Sequence, residues 1–366
     1  MINWSQFTVD NGAIKDLREL MFTSTFDDPD IETVITKKPG IENGKKLGYV
    51  DKMQDVGRKS TGCKPQYESV SITGDEKTWD LGEWEVPLEL CYKEIEDTIG
   101  KSGLKTGTDK ADLQDTPYWD IVLIPLLKKA LNNMYWRLIF FGDKTAQNVT
   151  DGGVITDGIN PNLFTTADGI WKRLFALCTA NAGQRTVVSA NAENTIDAQK
   201  QAVKVSGYAV QLFDDLLSDA DSRIFDDKKA CIMCTNSLYK ALRNDLVERY
   251  GKYTMTVKQV AAGIKISEYD GVTLVVLDIW DRMIKKYETI TTTTGEGANA
   301  VTTSKLNLPH RAVVCSPDNL FAGTEDEDTI ASLSITFDDK ERVNNIYASS
   351  TLGTLLGEDA LFQVAY

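Results

Sequence analysis

Residues 37 to 97 divide into two halves of opposite charge, and neither half carries the apolar surface to fold on itself. From Lys37 to Lys64, eight Lys/Arg stand against three Asp/Glu, a local charge of +5 in a chain whose total is −14. From Asp75 to Asp97, nine acids face Lys77 and Lys93, a local charge of −7. The basic half is broken by Gly40, Gly44, Gly48, Gly57 and Gly62 and holds few large apolar residues, so it cannot bury much of its own surface. A long cationic loop followed by an anionic strand segment implies contact with another copy of the chain, and so assembly before catalysis.

The rest of the composition supports a folded body. At 366 residues and 42% hydrophobic content the chain is long enough for a real core in one large or two smaller domains. The acidic balance argues against a protein built to grip phosphate backbones, which takes an excess of Lys/Arg. Met1 to Asp10 lacks the basic and apolar regions of a signal peptide. The most apolar run, Ile121 to Phe141, contains Lys128, Lys129 and Arg137, charges too costly for a membrane span. No membrane association is expected. Six scattered cysteines read as reduced thiols.

The periodicities predict an amphipathic helix at Ile14 to Phe22 and an extended arm after Pro29. Trp84, Val86, Leu88 and Leu90 alternate with Glu83, Glu85, Pro87 and Glu89, which predicts a strand with one buried and one wet face. Pro87 removes a ladder donor and assigns that strand to a sheet edge. Thr116 and Pro117 open a long helix, 117–141, closed by Gly142; Pro125 implies a kink or a start nearer Leu123. Beyond it, a loop and one long helix fill Thr195 to Ala220. Ala230 to Cys234 and Val272 to Leu277 read as buried strands, with a capped helix from Thr235 to Tyr250 between them. The Thr-rich stretch 289–303 reads as a projecting hairpin or a mobile loop, and strands dominate from Ala312 to Tyr366.

Chemistry is scarce. Cys231 and Cys234 form a CxxC between a strand and a helix, the setting of a redox motif, but Ile232 and Met233 between them favour two core thiols. His310 is the sole histidine, which removes most triads and general-base schemes and makes a structural role the simpler reading. Gly100-Lys101-Ser102 lacks the leading glycine of a phosphate loop, and Gly295 and Gly297 lack the frame of a dinucleotide site. The acidic pairs, Asp214 with Asp215 and Asp226 with Asp227 among them, match no calcium-loop spacing. No cofactor, metal or enzymatic activity is expected.

Three stretches together resemble the major capsid proteins of tailed bacteriophages, the Hong Kong 97 fold. The arm and basic loop leading into Trp79 to Cys91 look like that family's extended loop returning to its peripheral domain. The long helix ending in Arg137 to Asp143 looks like its spine helix. Leu308 to Cys315, Asn319 to Gly323, Asp338 to Val343 and Leu361 to Tyr366 are similar to its closing passage between axial and peripheral strands. The cadence is nearest to capsid proteins of phages of gut Bacteroidetes.

The resemblance implies an α+β fold with an N-terminal helix and arm (1–36) and an extended basic loop (37–77). It implies a peripheral domain (78–147 and 329–352) with spine helix 117–141, and an axial domain (148–328 and 353–366). Its function would be self-assembly into hexamers and pentamers of an icosahedral head around phage DNA, held by weak non-specific contact. Assembly would take place in the bacterial cytoplasm with a separate scaffolding protein and a portal; an encapsulin-like compartment is the alternative. The expected inter-subunit contacts are Lys37, Lys38, Lys45, Lys46, Lys52, Arg58 and Lys59 on the basic side and Glu83, Glu85 and Glu89 on the acidic side.

Overall fold

The computed structural model describes residues 31, 34–53, 56–59, 67, 69, 72–91, 123–251, 257–261, 263–294, 301–326 and 332–366. The helix expected at Ile14 to Phe22, the sequence 117–122 and the false phosphate loop lie outside the described residues.

Four strands open the described chain: β1 (Thr36–Lys38), β2 (Lys46–Met53), β3 (Ile72–Thr78) and β4 (Gly82–Cys91). Helix α1 (Ile124–Phe141) follows, with Pro125 in its first turn, where the ring costs no hydrogen bond. Its 18 residues give a rod of about 27 Å. Gly142 follows the helix where space demands a glycine: a Cβ there would sit 2.3 Å from the Ala167 carbonyl oxygen. Helix α2 (Ile170–Ala180) and the short β5 (Arg185–Thr186) come next. Of the loop and helix expected over 195–220, the helix is α4 (Tyr208–Ser218), and the part expected as loop holds a short helix, α3 (Ile196–Ala202), with Gly207 at φ 78° between the two.

The central body is a seven-stranded sheet. Its members are β5, β6 (Cys231–Cys234), β7 (Lys258–Ala261), β8 (Ile264–Tyr269), β9 (Val272–Leu277), β12 (Ala312–Cys315) and β16 (Gln363–Ala365), in the order β5-β16-β12-β6-β9-β8-β7. Between these run α5 (Asn236–Tyr250), α6 (Asp278–Tyr287) and a separate two-stranded hairpin, β10 (Thr289–Thr294) with β11 (Val301–Leu306). The runs 231–234 and 312–315 are buried on both faces, so they read as continuous apolar stretches without alternation. Cys231, Met233, Val313 and Cys315 face a layer built on α1, α2 and α6. Ile232, Cys234, Ala312 and Val314 face α4 and α5. In the first layer Trp171 and Trp280 meet edge to face at 4.9 Å, and Phe140 meets Trp280 at 5.2 Å.

A second sheet joins β1, β4, β13 (Leu320–Gly323), β14 (Ser332–Asp338) and β15 (Val343–Leu356). Strand β15 is its axis: one half lies between β14 and β4, and Gly353 to Leu356 pair with β13. Among the described residues strand β4 pairs with β15 alone, so Pro87 sits on an edge as its chemistry requires. On its inward face Trp84 and Leu90 are buried, whereas Leu88 between them is 41% exposed. Two details differ from the sequence reading. Strand β13 belongs to this sheet although it lies within 148–328, and the chain changes sheets after Leu356 instead of at 353. The reason is continuity: β15 keeps its ladder through Leu352 to Leu356, which are buried.

Candidate assembly surface

The charge-split segment folds back on itself. Strand β2, from the basic half, pairs antiparallel with β3, from the acidic half, in a ribbon that belongs to neither large sheet. The two halves, neither of which has the apolar surface to fold on itself, thus pair with each other in one ribbon. Its root is anchored. The Trp79 N–H donates to the Lys45 carbonyl at 2.9 Å, the Gly44 N–H donates to the Trp79 carbonyl at 3.0 Å, and Trp79 is buried with Leu81 and Leu355. Lys77 forms an ion pair with Asp359 beside that root. Farther out, Gly48 and Asp75 are exposed, and Ile72 is 58% exposed.

The predicted contact residues fall into three groups. Lys37 and Lys38 lie on β1, in parallel register with Ala322 and Gly323, with the Lys38 ammonium 5.5 Å from the Phe321 ring centroid. Lys45, Lys46 and Lys52 follow the ribbon, and Arg58 and Lys59 lie exposed beyond β2. Glu83, Glu85 and Glu89 are exposed on β4, where Tyr347 donates its hydroxyl to Glu85 at 3.1 Å. Lys46 already has a partner in its own chain, the Glu76 carboxylate at 2.6 Å, and this hydrogen bond raises its pKa. Both side chains are open to solvent, so salt screens the pair.

Sequence reasoning missed most of the ion pairs that join the turns around α1 and α2 to the turn before β4. Lys144, just past α1, donates to both carboxylate oxygens of Asp80 at 2.6 Å. Lys172 on α2 pairs with Asp143 and, at 3.1 Å, with Asp168. Gly82 packs against Thr166 so closely that a Cβ would lie 1.7 Å from its carbonyl oxygen. Asp168 and Lys172 stand four apart, a spacing visible in the sequence, but Lys144 with Asp80, Lys172 with Asp143 and Gly82 with Thr166 are far apart and follow no period, so no local signal could have found them.

The buried polar groups read as structure. Cys231 and Cys234 point to opposite faces of β6, as residues three apart on a strand must, and cannot act as one dithiol. Burial pushes the Cys231 thiol up to about 12 and holds Cys234 well above its ordinary value. His310 is brought down to about 4 by burial; its Nε2–H donates to the Gln199 carbonyl at 3.1 Å, and its Nδ1 accepts from Ser237 Oγ at 2.9 Å. Asp281, pushed up to about 6 by burial, accepts from the Asn236 and Ser237 N–H groups at 2.7 and 3.2 Å and so caps α5 from another helix. Arg311 is wholly buried. It pairs with Glu288, donates to the Leu308 and Asn307 carbonyls at 2.8 and 2.9 Å, and lies 5.3 to 5.5 Å from the ring centroids of Phe141, Trp171 and Phe175. Among the described residues no cluster of side chains could hold a metal ion, and no helix is long and apolar enough to cross a membrane.

No family model matches the sequence, and no curated protein is similar to it in sequence. Solved structures are similar in fold. A chain from Gordonia phage Cozz superposes with a TM-score of 0.52 over 99% of this chain and 91% of its own, at 10% identity. At that identity the likeness establishes the shared α+β fold and nothing of its chemistry. Chains of the satellite phage P4 procapsid (12% identity, 92% and 94% covered, TM-score 0.47) and of the native GTA particle capsid (11%, 98% and 94%, 0.48) are also similar but carry no further weight.

Proposed function

We propose that this chain is the major capsid protein of a tailed phage, a structural subunit that closes into an icosahedral shell around DNA. The observation that carries the reading is the β2–β3 ribbon, a charged pair of strands that pairs with no other strand among the described residues. A two-stranded ribbon is marginal in water by itself, so a protein that keeps one extended gains from laying it on another copy. The fold shared with a chain from Gordonia phage Cozz supports the same conclusion.

In this reading the second sheet and α1 form a peripheral domain of Hong Kong 97 type, and the seven-stranded sheet with its helices forms the axial domain. The ribbon crosses to a neighbour and brings Lys45, Lys52, Arg58 and Lys59 toward exposed carboxylates such as Glu83, Glu85 and Glu89. Lys46 contributes less, because Glu76 already holds it. Each exposed pair is weak, but repetition around hexamers and pentamers sums them. The net charge of −14 keeps the enclosed DNA loosely held. A scaffolding protein and a portal would complete assembly. Sedimentation velocity of the purified protein tests the reading: a fast, narrow boundary from closed shells supports it, and a monomer at every concentration overturns it.

A further inference from the structure

The β10–β11 hairpin has two open edges, and the register shows which backbone groups face outward. The Asn307 N–H donates to the Glu288 carbonyl at 2.9 Å, so that pair is hydrogen-bonded. Antiparallel alternation then directs the backbone groups of Ile290, Thr292, Lys305 and Thr303 inward and those of Thr291, Thr293, Thr302 and Ser304 outward. Two contacts at the root agree with this phase. The Leu306 N–H donates to Gln199 Oε1 at 3.0 Å, and its carbonyl accepts from Gln199 Nε2 at 2.8 Å. On the other edge the Thr289 N–H donates to Thr156 Oγ1 at 2.8 Å. The body therefore covers the first outward residue of each strand and then stops.

Past that point, Thr291 and Thr293 on one edge and Thr302 and Ser304 on the other have no backbone partner among the described residues. Their side chains are engaged across the ribbon, Thr291 with Ser304 at 3.1 Å and Thr293 with Thr302 at 3.0 Å. Proteins ordinarily blunt a bare edge with charge, proline or a bulge. Strands β10 and β11 contain no proline, their register has no bulge, and their one charged residue, Lys305, has its backbone groups turned inward. These are edges shaped to be paired.

We propose that the hairpin adds strand to strand between copies, with β10 of one subunit lying antiparallel along β11 of the next around a closed ring. The order β10-β11-β10-β11 keeps every neighbour antiparallel, matches two open residues with two, and leaves no bare edge once the ring closes. Pairing β10 with β10 would leave every β11 edge uncovered. The inference rests on the shell reading for the ring and states what the Thr-rich hairpin does within it.

Hydrogen exchange, resolved to single amides by mass spectrometry, tests this on assembled particles and on subunits dissociated from them. The amides of Thr291, Thr293, Thr302 and Ser304 should exchange at least about tenfold more slowly in particles, while those of Thr292 and Thr303 change little. Thr293→Pro and Ser304→Pro each remove one outward donor without touching the hairpin's own ladder, and should lower the yield of particles with the subunit melting temperature unchanged. Particles whose four outward amides exchange as fast as in free subunits overturn this inference and leave the shell reading standing. Equal protection in the free subunit also overturns it, since the chain's own body would then cover the edges. A protein that forms no particles at all overturns both.

Discussion

Replacing Arg311 by methionine leaves the Glu288 carboxylate buried without its cation. Glu288 side-chain exposure is 9% and that of Arg311 is zero, so water solvates the bared carboxylate poorly. What then remains for Glu288 is Asn307 Nδ2 at 3.3 Å, a single neutral donor. Breaking a buried ion pair from one side costs about 3–5 kcal/mol, a large part of the ~5–15 kcal/mol that holds a domain together. The double variant Arg311→Met with Glu288→Met removes both charges and should recover at least half of that loss. A remainder of about 1–2 kcal/mol is expected, because the three rings around Arg311 lose their cation. Urea unfolding measures both variants: the midpoint should fall steeply for the single change and partly return for the double, with the slope unchanged. A single variant within about 1 kcal/mol of the parent, or a double variant no better than the single, would refute the argument. The pair matters beyond stability, because Glu288 and Asn307 flank the β10–β11 hairpin and Arg311 holds its root.

Reversing Lys45 and Lys46 to Glu should leave the subunit folded and reduce shell yield in sedimentation; adding Glu76→Lys restores the ribbon's own ion pair and should not restore assembly. Normal shells from the double reversal would remove the ribbon from the contact. Asp281 gives a pH signature: its folded pKa of about 6 lies above the unfolded value near 3.8, so its contribution is fully present below about 3.8 and is lost as pH rises through 6. The stability of the parent relative to Asp281→Asn should fall by on the order of 2–3 kcal/mol between pH 4 and 7, and a flat difference in urea titrations would contradict the assignment. Cys231, Cys234 and Cys315, all buried with raised pKa values, should resist a thiol reagent until the protein unfolds; rapid modification of the native protein would reopen redox chemistry.

Where burial leaves a local pattern, the residues announce their structure. The alternation around Trp84 gave β4, Pro87 its edge, the unbroken apolar runs the two-face burial of β6 and β12, and the threonines the hairpin. What escaped has a common physical cause: it depends on residues far apart in the chain. The basic half shows no partner in its own composition, because the strand it pairs with begins only at Ile72. Nothing near Gly353 announces that β15 runs on to Leu356, because that depends on β13 lying beside it. The short α3 carries no apolar stripe, Gln199 being its buried residue, so nothing local sets it apart from a loop. Arg311 with Glu288, Lys144 with Asp80 and Lys172 with Asp143 join elements whose adjacency only the fold decides. For the assembly surface, the sequence marked which residues carry charge, and the structure adds that Lys37 and Lys38 sit on a sheet edge apart from the ribbon.

Electron microscopy of the purified, assembled protein, with averaging over subunits, tests the central claim most directly. The account predicts closed particles of uniform size in which each β2–β3 ribbon lies across an adjacent copy. Closed particles in which every ribbon packs against its own body, or a preparation with no closed particles, would contradict it.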